Sequence, residues 1–207
     1  MSDEAITWFE PLYADAARGA RGIPWDRGEP HPLLASWAGK RAIDGRGQRA
    51  IVVGTGTGDD AAFVAGLGFE TAAFDVSPSA IATAQGRYPE ANVTFAVANL
   101  FDLPGEWTGS FDLVVEIQTV QALPRSMRES AISAVVSLAA PGGWVVVIAA
   151  AVDAPREDGP PWPLTRDEID GFVRAGLSPV AVDREYNAGA GPFASHWLAA
   201  CVRAASD

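Results

Sequence analysis

The sequence predicts an α/β fold: a seven-stranded, mostly parallel sheet with helices on both faces and an antiparallel hairpin at its end. Three observations carry this. Short apolar runs alternate with helical periodicity along most of the chain, the pattern of a parallel sheet covered on both sides. One run, Trp144–Ala150, is apolar at every position, as a central strand buried on both faces must be. The last two runs, Ser178–Glu185 and Ser195–Val202, follow one another with no helix between them and are joined by Tyr186–Ala194, which fits an edge hairpin.

Taken in order, Ile6, Phe9, Leu12, Tyr13 and Ala16 share one face of a helix over roughly Asp3–Arg18. A stretch rich in Gly and Pro follows, and a second short helix is expected at Leu33–Arg41. Strand one is Ala50–Val53, and a helix opens after the glycines at Asp59–Leu67. Strand two is Glu70–Phe74. Ser77 places a hydroxyl directly before Pro78, the N-cap and first-turn signature of a helix running to Arg87. Strands three and four are Val93–Val97 and Asp112–Glu116. A helix over Arg125–Ala139 leads through a Pro141-Gly142-Gly143 turn into strand five. Thr165 and Glu168 form a capping box for a helix ending near Ala175–Gly176.

The 207 residues, 48% of them hydrophobic, suffice for one domain with a substantial core. The expected layout is a single domain over 1–207, with 1–45 as cap helices over the site and 46–207 as the core. A net charge of −11, from 15 basic and 26 acidic residues, leaves no Lys/Arg face to displace counterions, so nucleic acid is not an expected substrate. The same acidity argues against an anionic membrane surface. Cys201 is alone, the first thirty residues lack a basic start followed by an apolar core, and no apolar run approaches the ~20 residues of a membrane span. A cytoplasmic protein, monomeric or a small homo-oligomer, is expected.

The segment richest in chemistry is Val53-Gly54-Thr55-Gly56-Thr57-Gly58-Asp59-Asp60, where strand one meets its helix. Three glycines at alternate positions let backbone approach a ligand closely, and the helix start supplies free N–H donors. The dinucleotide spacing G-x-G-x-x-G, read from Gly54, needs a small residue where Asp59 stands. Two carboxylates facing a pyrophosphate would offset the roughly 1 kcal/mol offered by a helix dipole. S-adenosylmethionine (SAM) has no phosphate and two positive groups, so an acidic lining favours it. Asp75, 17 residues after Gly58, is placed to accept both ribose hydroxyls. Asn99, Leu100 and Phe101 follow strand three, where an adenine ring would lie.

With these features in view, the sequence resembles class I SAM-dependent methyltransferases of Rossmann-like fold. The likeness rests on the glycine loop, on Phe74-Asp75-Val76-Ser77-Pro78-Ser79-Ala80-Ile81, on Phe111-Asp112-Leu113-Val114-Val115-Glu116 and on Pro141-Gly142-Gly143. Pro24-Trp25-Asp26-Arg27-Gly28-Glu29-Pro30, Ala122-Leu123-Pro124 with Arg128, and Gly159-Pro160-Pro161-Trp162-Pro163-Leu164 are similar to the thiopurine S-methyltransferase-like branch. The resemblance implies Trp25 over the cofactor and Gly54 and Gly56 at its amino-acid end; Thr55, Gly58, Asp59, Val76 and Phe101 are further cofactor-binding candidates. It implies Asp75 at the ribose, Asn99 with Leu100 at the adenine, and Glu116 beside the transferring methyl. Two departures stand out: Val52 where many members carry an acid, and Asn99 where most carry Asp.

Glu116 is the candidate polar group at the reaction centre, expected to point into the crevice at the carboxyl end of its strand. Gln118, Gln121, His31 and Trp162 are expected to line the acceptor cavity. His196 and Cys201 read as structural, and no His/Asp cluster has metal-ligand spacing, so no metal is expected. The expected activity is methyl transfer to a small molecule, sulfur first, then oxygen or nitrogen. The alternatives are an NAD-type oxidoreductase and a non-catalytic SAM-binding protein on the same fold.

Overall fold

The computed structural model describes residues 6–186 and 194–205. Its strands form a seven-stranded sheet in the order β3-β2-β1-β4-β5-β7-β6. The chain divides into two compact units, 1–103 and 104–207.

In the first unit α1 (Phe9–Ala17) and α2 (Pro32–Lys40) precede β1 (Arg49–Val53), α3 (Asp59–Gly66), β2 (Glu70–Asp75), α4 (Pro78–Arg87) and β3 (Val93–Val97). The three strands are parallel, with Val53 beside Phe74 and Asp75 beside Val97. α1 is shorter than its periodicity predicts: Ile6–Trp8 forms a turn, and residues 1–5 lie outside the described residues. α4 begins as Ser77-Pro78 predicts, with Ser77 Oγ accepting from Ala80 N at 3.0 Å. α1 packs on α4, and α3 and α4 pack on the strands.

The second unit holds β4 (Phe111–Ile117), α5 (Arg128–Leu138), β5 (Ala139–Ala150), α6 (Arg166–Arg174), β6 (Leu177–Tyr186) and β7 (Ser195–Arg203). β4 and β5 are parallel. Pro141-Gly142-Gly143, read from sequence as a turn before the strand, is instead an irregularity inside β5. Phe111 faces Ala139 and Leu113 faces Trp144, so the extra residues are pushed out of register. A side chain at Gly143 would meet the Phe111 carbonyl at 2.7 Å, so only glycine fits there. The expected helix over Arg125–Ala139 starts as a 3-10 turn, Arg125–Met127, and becomes α-helical at Arg128.

The capping box at Thr165–Glu168 forms as predicted. The two last strands pair antiparallel, and β7 also pairs antiparallel with β5, so it stands inside the sheet while β6 takes the edge. Most of their connection, 187–193, lies outside the described residues. No helix among the described residues is long and apolar enough to cross a membrane.

Candidate active site

The glycine loop leaves β1 through Thr55, whose N–H bonds the Phe74 carbonyl at 2.8 Å. Gly56 has φ +54°, and a Cβ on it would sit 2.8 Å from the Tyr13 hydroxyl. Glycine is therefore required there twice, by conformation and by space. Thr55 Oγ1 is buried in this loop with no hydrogen-bond partner among the described residues. Such an atom in a native site signals a missing polar partner. The Asp75 carboxylate clasps the loop from β2: Oδ2 accepts from Gly56 N and Oδ1 from Ser77 N, both at 3.0 Å. Burial raises its pKa, against the opposing N–H groups of Ser77, Gly56 and Val76.

Beside the clasp lies a cavity of about 330 Å³ lined by Ile6, Thr7, Glu10, Val76 and Asn99. It lies at the low end of the size range of small-molecule sites. Asn99 uses its side-chain oxygen to accept from Phe101 N at 3.0 Å, closing its own turn, and the oxygen keeps a second lone pair. Leu100 is buried behind that turn and Phe101 is half-buried.

Two residues here were not expected from sequence. Glu10 accepts from Ser77 Oγ (2.5 Å), Ser79 N (3.1 Å) and Ser79 Oγ (2.6 Å), hooking α1 to the start of α4. Burial pushes its carboxyl up, but those bonds outweigh it and hold the pKa below the usual value. Tyr13 is buried over Gly56 and accepts from Trp25 Nε1 at 3.0 Å. Burial and the nearby Asp75 charge raise its pKa. In sequence Tyr13 is one more apolar-face residue of a helix; only the tertiary fold lays it on the loop.

The acidic helix start is held by protein partners. Asp59 accepts from Arg87 Nη1 (3.1 Å), Thr57 Oγ1 (2.9 Å) and the Tyr88 hydroxyl. Arg87 also pairs with Asp26 at 2.8 Å. Asp60 accepts from His31 N at 2.7 Å, and burial raises its pKa to about 6. Both acids therefore have protein partners of their own, Asp60 in the segment before α2 and Asp59 through Arg87, which also holds Asp26. Arg87 offers Asp59 a charge-assisted partner that a neutral loop lacks. His31 is buried, and its Nδ1 accepts from Leu33 N at 3.2 Å and caps α2.

In the second unit Glu116 lies within β4 and is fully enclosed, rather than projecting into an open crevice. Its Oε1 accepts from Thr119 N (2.8 Å) and Val120 N (2.9 Å), while Oε2 has no partner among the described residues. Burial lifts its pKa to about 7 against those bonds and the Arg128 charge. Arg128 in turn donates to Glu168 (2.5 Å) and to the Trp162 carbonyl (2.9 Å). Gln121 is buried and braces its surroundings: Oε1 accepts from Ala150 N (2.6 Å) and its carbonyl from Trp162 N (2.7 Å). Trp162 is half-buried, its indole N–H on the Glu157 carbonyl at 3.1 Å. Gln118 is half-buried with φ +62°, and its side-chain nitrogen lies 3.3 Å from His196 Nε2. Among the described residues no group of three or more His, Cys, Asp or Glu is arranged to hold a metal.

Residues 50–143 match the family model of the methyltransferase domain. A curated relative from Mycobacteroides abscessus, 2-heptyl-1-hydroxyquinolin-4(1H)-one methyltransferase, is 28% identical over 180 residues, covering 84% of this chain and 77% of the relative. Among solved structures, one from work on the conversion of a disulfide bond into a thioacetal group during echinomycin biosynthesis superposes with a TM-score of 0.76. It is 22% identical and the match covers 96% of this chain and 94% of that one. The N-methyltransferase NodS from Bradyrhizobium japonicum, in complex with S-adenosylhomocysteine, gives 0.74 at 19% identity, covering 94% and 97%.

Proposed function

Because this chain is a class I SAM-dependent methyltransferase, we propose that it methylates a small molecule at an easily ionised heteroatom. A thiol stands first, with a heteroaromatic hydroxyl or ring nitrogen close behind. The observation that carries the cofactor reading is the Asp75 clasp beside the 330 Å³ cavity. Each carboxylate oxygen keeps a lone pair beyond its backbone bond, enough to accept two ribose hydroxyls. The residues also fit the cofactor's other end. Thr55 Oγ1 is a buried polar atom without a partner among the described residues, and Gly56 leaves backbone bare beneath Tyr13 and Trp25.

When bound, SAM supplies a methyl group already activated by its sulfonium. The protein's tasks are then alignment and exclusion of water. Tyr13 and Trp25 cover the loop, and Glu10 holds α1 over the cavity. Glu116 acts as a positioning residue: it fixes the turn after β4 that carries Gln118. Trp162 supplies an aromatic wall. The thiol preference follows the likeness of Pro24–Pro30 and Gly159–Leu164 to the thiopurine branch. The curated relative's printed name puts an aromatic N-hydroxyl on the same footing. The net charge of −11 favours a diffusible acceptor over nucleic acid or membrane.

Calorimetry with SAM, S-adenosylhomocysteine and NAD tests the cofactor. Transfer of labelled methyl from SAM to benzyl mercaptan, 4-nitrothiophenol and 2-heptyl-1-hydroxyquinolin-4(1H)-one tests the acceptor. Micromolar binding of SAM with turnover of at least one probe is expected. NAD binding without SAM binding overturns the reading.

A further inference from the structure

We propose that Glu10 is the residue that restricts the nucleoside end of the cofactor site to an unphosphorylated ribose. The inference rests on the methyltransferase reading above and deepens it, and all its residues lie in the first unit. A helix N-terminus offers free N–H groups and the positive end of a dipole, a ready seat for phosphate. In Rossmann-like sites a phosphate on the ribose 2′-oxygen is received close to the acid that otherwise takes the hydroxyl. Asp75 ends β2, and α4 opens at Pro78 directly after Ser77, so both tendencies meet at one place.

In this chain the seat is filled by the protein's own carboxylate. Glu10 Oε2 accepts from Ser77 Oγ (2.5 Å) and Ser79 N (3.1 Å), and Oε1 accepts from Ser79 Oγ (2.6 Å). Nearby N–H groups are engaged as well: Ser77 N on Asp75 Oδ1, Ala80 N on Ser77 Oγ and Ile81 N on the Ser77 carbonyl. These bonds take the donors a phosphate would use. Ser77 also joins two carboxylates, giving its N–H to Asp75 and its hydroxyl to Glu10, so a phosphate arriving here meets a pair of like charges.

A hydroxyl is received differently. The two serine hydroxyls and Ser79 N fill both lone pairs of Oε2 and one of Oε1, so Oε1 keeps one acceptor position. Glu10 lines the 330 Å³ cavity together with Ile6, Thr7, Val76 and Asn99, none of which carries positive charge. The open position can take an O–H of a ligand in that cavity, whereas a phosphate dianion has no proton to offer it. Burial acts to raise the Glu10 pKa, yet the Ser77 and Ser79 donors hold it below the usual value, so the group is ionised at neutral pH. Its charge reaches Asp75, where it adds to the effect of burial. Arg87, the one basic residue of α4, stands at the far end of the helix and is held by Asp26 and Asp59, so it does not neutralise the start.

The test is competition against S-adenosylhomocysteine in calorimetry, with adenosine, adenosine 2′-monophosphate and adenosine 5′-monophosphate as competitors. The 5′-phosphate sits at the other end of the ribose and controls for bulk charge. Wild type should bind adenosine at least tenfold more tightly than the 2′-phosphate. E10Q removes the charge and keeps an oxygen for the serine donors. Its affinity for the 2′-phosphate should rise at least tenfold, while that for adenosine does not rise and that for the 5′-phosphate rises less than about threefold. E10A, which frees Ser79 N and both hydroxyls, should raise 2′-phosphate affinity in the same direction. A residue that merely hooked α1 to α4 would, when replaced, weaken all three ligands. Uniform weakening, an unchanged 2′-phosphate affinity in E10Q, or an equal gain for both phosphates overturns the proposal. If the wild type binds no S-adenosylhomocysteine the methyltransferase reading has failed instead, and the proposal falls with it.

Discussion

Replacing Glu116 by Gln should change how stability depends on pH, and the structure sets the size of the change. The carboxyl is fully enclosed and its pKa is raised from 4.5 to about 7. The folded state therefore holds a proton that the unfolded state releases between these values. The cost of the charge is absent below about pH 4.5, grows as pH rises, and is complete above about pH 7. At 1.36 kcal/mol per pKa unit it comes to about 3 kcal/mol. Gln keeps the oxygen that accepts from Thr119 and Val120 N–H. Its amide nitrogen replaces the partnerless Oε2, at a cost of about 1–3 kcal/mol that does not vary with pH. Between pH 5 and pH 8 the variant should gain about 2.5 kcal/mol relative to wild type, read from urea unfolding of both proteins. Parallel pH profiles, differing by less than 1 kcal/mol, would refute the enclosure of this carboxyl.

Further outcomes follow from the first unit. Gly56→Ala forces a side chain to φ +54° and to 2.8 Å from the Tyr13 hydroxyl, so affinity for S-adenosylhomocysteine by calorimetry should fall at least tenfold. Asp75→Ala strips buried acceptors from Gly56 N and Ser77 N. Urea unfolding should show a loss of about 2–5 kcal/mol, with SAM affinity at least tenfold weaker. Glu10→Ala removes the hook on Ser77 and Ser79, so limited proteolysis should cut within α1 faster than in wild type while the α3 region stays protected.

Where a feature depends on neighbours in sequence, the residues declare it. Ser77-Pro78 and Thr165-Glu168 cap helices through groups two or three residues away, and both form as read. Trp144–Ala150 is apolar throughout, and it is a buried strand. Features that depend on distant partners were not legible. The partners of Asp59 and Asp60 were hidden, because Arg87 and the backbone of His31, 28 and 29 residues away, are invisible to local pattern. Tyr13 and Glu10 carry no motif, and gain meaning only when α1 is laid over the loop after β1 and the start of α4. Gln118 shows its strain only in φ. The hairpin was legible, but the inner place of β7 was not, because antiparallel pairing alone does not say which strand meets β5.

That inner place bears on how the chain is made. Until Ser195–Arg203 emerges from the ribosome, β5 has one edge unpaired, and its stretch Val145–Ala150 is apolar throughout. An open apolar edge of this kind recruits other strands, including those of neighbouring nascent chains. β6 is synthesised earlier but cannot close it, because β7 is the strand that joins both. Losing β7 would thus remove two ladders at once.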